Sequence, residues 1–270
     1  MEELTPRIVR TTTLAEFKSQ GRRFSCLTSY DALTASAFDE AGIEVLLVGD
    51  SAADNVLGYS STLPITVDEI IPFGRAVAGA VKRSMVVVDL PFGSYETSAE
   101  DALETAIRIM KLTGASAVKL EGGQRSTAQI DAVVTAGIPV MGHIGFTPQS
   151  VHALGGFKVQ GRESDSREQL IADALAVQSA GAFAVVLELV PAGLAAEVSE
   201  LLDIPTIGIG AGAGTDGQIL VWTDFAGLAP GKARKFVKRY LELRKDLVQA
   251  ASAYRNDVAQ RNFPGKENEF

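Results

Sequence analysis

What the chain lacks narrows it first. Its single cysteine, Cys26, rules out an intrachain disulfide and fits a reducing compartment. Set between Ser25 and Leu27 in an apolar run, that thiol suits a buried structural role. There are two histidines, His143 and His152, so a His-rich zinc site is excluded by stoichiometry. His152 stands in a glycine-flanked loop pattern and reads as a surface residue. No apolar run is long enough to span a bilayer, and the polar opening, residues 1–6, carries no signal-peptide core. An excess of positive charge is also missing. The net charge is −8, a balance that repels nucleic acid and anionic membrane. The one basic stretch, residues 232–239, reads as the solvated face of a late helix. Together these absences predict a cytoplasmic protein with no nucleic-acid or membrane partner.

What is present is a repeating pattern. Of the 270 residues 46% are hydrophobic and 21% charged, enough apolar material for a large core. Short apolar runs recur at 25–30, 44–50, 85–89, 117–121, 139–143, 184–188, 205–210 and 219–222, the last being the weakest. Several are continuous in Val and Ile and do not alternate, as parallel strands buried on both faces require. Amphipathic segments lie between them. Residues 99–113 put Ala102, Ala106, Ile109 and Met110 on one stripe, with acids in the first turn, and stop at Gly114. Residues 167–179 stop in the same way at Gly181, and 190–202 carry Pro191 near their start. Strand and helix alternating without a composition break predict α/β architecture. The expected fold is a single (β/α)₈ TIM barrel over residues 1–254, with an N-terminal extension and a polar, loose tail at 255–270. An open doubly wound sheet competes, but the first run ends in Thr28-Ser-Tyr-Asp31 where that fold places a glycine-rich turn.

Charge falls at the ends of the runs. Asp50, Asp89, Glu121, His143 and Glu188 each close an apolar run, and in a barrel the C-terminal strand ends form one mouth. Residues two apart share a strand face. Val48 with Asp50, Val87 with Asp89, Lys119 with Glu121 and Val186 with Glu188 therefore predict inward-facing columns. The competing reading of each acid is a helix cap or a loop carboxylate.

Asp50, Asp89 and Glu121 are oxygen donors, which favour a hard ion such as Mg²⁺. Two carboxylates leave coordination positions for the keto oxygen and carboxylate of a 2-oxo acid, and the ion would then stabilise an enolate. Glu188, among Leu187, Leu189 and Val190, has an apolar setting of the kind that makes a carboxylate a better base. Lys119 and His143 are placed to hold the ligand. Lys119 also admits Schiff-base chemistry, which the neighbouring Glu121 opposes by favouring the charged amine, and it admits a plain Lys–Glu pair. The glycines at 207–214 fit either phosphate binding or tight turning.

At this point a resemblance appears. Val48-Gly-Asp-Ser51, Ser61-Thr-Leu-Pro64, Val88-Asp-Leu-Pro-Phe92, Val118-Lys-Leu-Glu-Gly-Gly123, Gly142-His-Ile-Gly-Phe-Thr-Pro-Gln-Ser150, Gly155-Gly-Phe-Lys-Val-Gln-Gly-Arg162, Leu187-Glu188 and Ile207-Gly-Ile-Gly-Ala-Gly212 resemble, in order and spacing, the motifs of the ketopantoate hydroxymethyltransferase family. That family has barrels of the phosphoenolpyruvate/pyruvate type. The resemblance implies transfer of a hydroxymethyl group from 5,10-methylenetetrahydrofolate to 3-methyl-2-oxobutanoate, giving 2-dehydropantoate for pantothenate synthesis. It implies Mg²⁺ on Asp50 and Asp89, with Glu121 in support. It further implies the oxo acid on Ser51 and Lys119, His143 in the pocket, Glu188 as proton acceptor, and a homo-oligomer, a decamer in the family. On that analogy the glycine-rich turn binds no phosphate. The chain departs from the family pattern at Ala52-Ala-Asp-Asn55, where a Leu-Gly-Met-like stretch is usual, and at Ser60, where Asp is usual. A related barrel lyase cleaving a carbon–carbon bond in a 2-oxo or 2-hydroxy diacid is the alternative, and it needs a second anion site. A non-catalytic binding barrel is the third possibility.

Overall fold

The computed structural model describes residues 8–270, so the polar opening at 1–6 lies outside them. Eight parallel strands follow in chain order and close on themselves. They are β1 (Phe24–Thr28), β2 (Val45–Val48), β3 (Met85–Asp89), β4 (Ala117–Glu121), β5 (Val140–Gly145), β6 (Ala184–Glu188), β7 (Thr206–Ile209) and β8 (Gly217–Leu220). Strands β3, β4 and β6 coincide with the apolar runs that predicted them. The last strand begins two residues before the expected 219, because Gly217 is a strand residue and not a turn. A side chain there would meet the Phe24 ring of β1 at 2.5 Å.

The helices are α1 (Thr11–Ser19), α2 (Ala32–Glu40), α3 (Ala52–Asn55), α4 (Val67–Ala80), α5 (Ala99–Thr113), α6 (Thr127–Thr135), α7 (Ser164–Ser179), α8 (Ala192–Leu201), α9 (Trp222–Phe225) and α10 (Leu243–Gln260). Helix α5 shows why these segments fold locally. Ser98 Oγ accepts the Asp101 N–H at 3.0 Å, Ala102, Ala106 and Ile109 are buried, and Gly114 at φ 75° ends the helix. Helix α7 starts three residues before the expected 167, because the Glu163 N–H finds Ser166 Oγ at 3.2 Å and caps an earlier turn.

The barrel interior is filled by Cys26, Val45, Leu47, Met85, Val87, Met141, Val186 and Ile219, among others. Its column on β2 runs through Leu47, so the predicted inward pairing of Val48 with Asp50 is incorrect. Asp50 lies two residues past the end of β2 and is placed by a turn, not by the strand's pleat. Leu14 and Phe17 of α1 join the same interior cluster. The Val9 N–H bonds Arg83 O at 2.9 Å and Lys18 Nζ bonds Asp216 at 2.9 Å. Arg83 and Asp216 precede β3 and β8, so α1 closes the N-terminal end of the barrel and leaves the other end as the mouth. The glycines after β7 serve close packing, since a Cβ on Gly212 or Gly214 would come within 2.4 or 2.6 Å of Ala192 or Ala196 on α8.

Residues 222–270 form a second unit. The basic stretch 232–239, expected on a helix, is irregular there. It follows Pro230-Gly231, with Gly231 at φ 86°, and the Arg239 guanidinium donates to Gly231 O at 2.7 Å. Residues 255–260, read from composition as the start of a loose tail, are the last turns of α10, and every residue of that helix is at least partly exposed.

Candidate active site

Strand register brings the predicted residues together. Asp89 on β3 is aligned with Lys119 on β4, and Glu121 on β4 with His143 on β5. Glu188 follows Val186 on the inward column of β6. Asp50, Asp89, Lys119, Glu121, His143 and Glu188 are all buried. Lys119 Nζ lies 2.6 Å from Asp89 Oδ1, so its partner is the aspartate across the sheet and not Glu121 on its own strand. Burial alone would favour the neutral amine, but Asp89, Glu121 and Asp50 outweigh it and hold Lys119 protonated. A protonated, ion-paired lysine is a poor Schiff-base nucleophile, so this pairing counts against that reading.

Asp50 is fixed by two bonds. Its backbone N–H donates to Asp89 Oδ2 at 3.1 Å, and its Oδ2 accepts from Gln149 Nε2 at 3.0 Å. It has no cation at ion-pair distance among the described residues. Burial, and then the nearby Asp89 and Glu121, push its carboxyl well above the usual range. Glu121 goes the other way. Burial pushes it up, but His143, Lys119 and the Gln149 N–H bond at 3.0 Å overcome that and hold it below its ordinary value.

His143 stands between two carboxylates, with Nδ1 3.3 Å from Glu121 Oε1 and Nε2 3.2 Å from Glu188 Oε2. Neither N–H points along the line to its carboxylate, so these are close ionic contacts and not linear hydrogen bonds. Burial and Lys119 pull the imidazole down, yet the two glutamates outweigh them and raise it to about 9. The expected apolar setting of Glu188 is therefore only part of its surroundings. Directly after it Leu189 adopts φ 49°, a strained conformation for a leucine, and its N–H still bonds Ile209 O at 2.9 Å.

Ser51 Oγ shares a 2.7 Å hydrogen bond with the buried Tyr30 hydroxyl. A Cβ on Gly49 would stand 3.0 Å from Ser51 Oγ and 3.4 Å from Asp89 Oδ2, so glycine keeps that space open. The departure at residues 52–55 is accommodated as the short helix α3, in which Ala52 and Ala53 are buried and Asn55 Nδ2 bonds Ser51 O at 2.9 Å. His152 is exposed and Cys26 is buried, as expected.

Among the described residues no three or more His, Cys, Asp and Glu side chains form a ready-made metal cage. The donor chemistry nonetheless fits Mg²⁺, which is held by one or two carboxylates and keeps waters or ligand oxygens in its other positions. Asp50 and Asp89 supply such a partial set. A cation beside them would reverse the electrostatic push on Asp50, the one buried carboxylate here without a cationic neighbour at contact distance.

Two residues escaped the sequence reading. Gln149 and Tyr95 are buried beside the acids, and the Tyr95 hydroxyl donates to Gln149 Oε1 at 2.6 Å. Neither carries charge at neutral pH, so a search for charges at strand ends passes over both.

Comparison with known proteins agrees with this geometry. The family model described as ketopantoate hydroxymethyltransferase matches residues 8–266. The 3-methyl-2-oxobutanoate hydroxymethyltransferase of Leifsonia xyli subsp. xyli is 60% identical over 266 residues, covering 98% of this chain and 96% of that one. The protein of the same name from Corynebacterium efficiens is 56% identical over 270 residues, the full length of both. Among solved structures, phosphonopyruvate hydrolase in complex with oxalate and Mg²⁺ superposes with a TM-score of 0.62 at 12% identity, covering 94% of this chain and 88% of that one. A 2,3-dimethylmalate lyase of the PEP mutase/isocitrate lyase superfamily gives 0.61 at 17%, covering 97% and 92%. At such identities these two structures establish the shared barrel alone. A family match over nearly the whole chain, with relatives sharing more than half its residues end to end, establishes that the chain belongs to the ketopantoate hydroxymethyltransferase family.

Proposed function

We propose that the protein transfers a hydroxymethyl group from 5,10-methylenetetrahydrofolate to 3-methyl-2-oxobutanoate, forming 2-dehydropantoate in pantothenate synthesis. The observation that carries this reading is the placing of Glu188 in the same mouth as Asp50, Asp89 and Lys119, within a chain of this family. Asp50 and Asp89 would hold a divalent ion, which when bound would supply Lewis-acid stabilisation of charge on the keto oxygen. The chain's own groups do the rest. Glu188 takes the proton from the carbon beside the keto group. His143, cationic near neutral pH and 3.2 Å from Glu188, fixes that carboxylate in place. Lys119 and the Ser51 hydroxyl face the oxo acid. Water releases the one-carbon unit from the folate at the oxidation level of formaldehyde, its C–N bonds breaking to leave tetrahydrofolate. The carbanionic carbon adds to that carbon, and the resulting alkoxide takes up a proton to become the hydroxymethyl group.

The diacid lyase reading receives less support. It requires a second anion site, and among the described residues no arginine is buried. The test is proton NMR of 3-methyl-2-oxobutanoate in D₂O with the protein, with and without Mg²⁺ and without folate. The expected result is loss of the signal of the hydrogen beside the keto group only when metal is present, followed by 2-dehydropantoate once methylenetetrahydrofolate is added. A protein that forms no 2-dehydropantoate with both substrates and metal would overturn the proposal.

A further inference from the structure

Asp50 is the one carboxylate of the proposed metal pair that no strand positions, since β2 ends at Val48. Something else must aim it. Gln149, in a 3₁₀ turn at Pro148–Ser150 after β5, occupies that place. Its Nε2 donates to Asp50 Oδ2 and to Leu90 O, each at 3.0 Å. Its Oε1 accepts from the Tyr95 hydroxyl at 2.6 Å, and its backbone N–H donates to Glu121 Oε2 at 3.0 Å. The amide can face only one way, because turning it over would set Oε1 against a carboxylate and a carbonyl, two groups with nothing to donate. Tyr95 is held in turn, since its oxygen accepts the Glu121 N–H at 3.2 Å. One oxygen each of Asp50 and Glu121 is thus tied to a single neutral side chain and its backbone. Asp50 Oδ1 accepts no hydrogen bond among the described residues, and Glu121 Oε1 is buried without a linear one.

We infer that Gln149, oriented by Tyr95, is a positioning residue that aims the free oxygen of Asp50 at the ion and holds Glu121 with its other oxygen turned to His143. The inference rests on the function proposed above. A satisfied buried network of this kind fixes geometry more firmly than its separate bonds suggest. A glutamine is also the side chain that can donate to one carboxylate without adding a charge that competes with the ion.

The test is an electron paramagnetic resonance titration of Mn²⁺ into the unliganded protein, comparing the parent with Gln149→Met, Tyr95→Phe and the double variant. Thermal unfolding identifies the folded samples. Gln149→Met keeps the bulk and removes every side-chain bond, and losing an outer partner of a metal ligand weakens binding by about 10–100-fold. Tyr95→Phe should weaken Mn²⁺ in the same direction by less, and the double variant should lose less than the two single losses combined. A folded Gln149→Met protein that binds Mn²⁺ like the parent would overturn the inference, as would single losses that add in full. Should Gln149→Met fail to fold, Tyr95→Phe alone decides: parental affinity rejects the inference and weakened affinity supports it. A parent that binds no Mn²⁺ would reject the metal reading along with it. A parent that binds Mn²⁺ and exchanges the substrate proton, beside unaltered variants, rejects only the role of Gln149.

Discussion

At the scale of single residues, Glu188 and Asp89 are separable by experiment because they act on different parts of one ligand. Glu188→Gln keeps the shape and a contact for His143 but cannot take a proton. Deuterium exchange into 3-methyl-2-oxobutanoate is expected to slow by about 10²–10⁴-fold, the usual worth of a general base, while calorimetric binding of the oxo acid stays near the parent's. Exchange at the parent rate would mean that another group removes the proton. Asp89→Asn acts on the metal. It removes a charged donor and also takes from Lys119 Nζ the carboxylate charge it pairs with at 2.6 Å. The Mn²⁺ dissociation constant should rise at least about 10-fold, since even outer-shell losses cost that much. An unchanged titration would take Asp89 out of the metal site. The ionisable members of this site were legible in the sequence, because charge interrupting an apolar run at a strand end has few other causes in a barrel. Their partners were not. That Lys119 pairs with Asp89, and that Gln149 ties Asp50 to Glu121, depends on strand register and on a turn after β5, neither of which a linear pattern records.

At the scale of elements, the parts readable in advance were those whose local chemistry agrees with their tertiary place. Helix α5 has its cap, stripe and stop in the right order, and its bounds match the pattern. Helix α4 hides behind Pro72, Gly74 and Gly79, which local propensity counts against a helix. The structure explains Gly74, since a Cβ there would lie 2.7 Å from Thr113 on α5 and 3.2 Å from Val88 on β3. A loop can be just as ordered. Between α4 and β3, Asp39 at the end of α2 accepts the backbone N–H groups of Lys82, Arg83 and Ser84 at 2.8, 3.1 and 2.6 Å, and the Ser84 hydroxyl at 2.8 Å. Burial raises the carboxyl, but these bonds more than reverse that and leave it below its ordinary value. Asp39→Ala strips the turn of its acceptor and should cost about 2 kcal/mol near neutral pH, measured by urea unfolding. A depressed carboxylate contributes its stability above its unfolded value, and that contribution fades as pH falls through the folded one. The gap between parent and variant should therefore narrow below about pH 4. A gap that stays constant into acid would show that packing, and not the charge, is what Asp39 provides.

At the scale of the whole barrel, the two ends have different tasks. The mouth gathers buried carboxylates around Lys119 and His143, an arrangement that costs stability because charges are held out of water. The opposite end gains stability from apolar contact, where α1 inserts Leu14 and Phe17 into the cluster that also holds Phe24 and Cys26. Conserving stability at one end while spending it at the other is the division expected of barrel enzymes. Leu14 tests it, being fully buried and remote from every site residue along the strands. Leu14→Ala leaves a cavity beneath the barrel and should lower the unfolding free energy by about 2–5 kcal/mol. The urea dependence should keep its slope, because the same surface is exposed on unfolding. Below the unfolding range, each folded molecule should exchange the substrate proton at the parent rate and bind Mn²⁺ with the parent affinity. A large loss of exchange with little loss of stability would mean that the plug at the closed end sets the geometry of the mouth, and the two ends would then have to be treated as one coupled element.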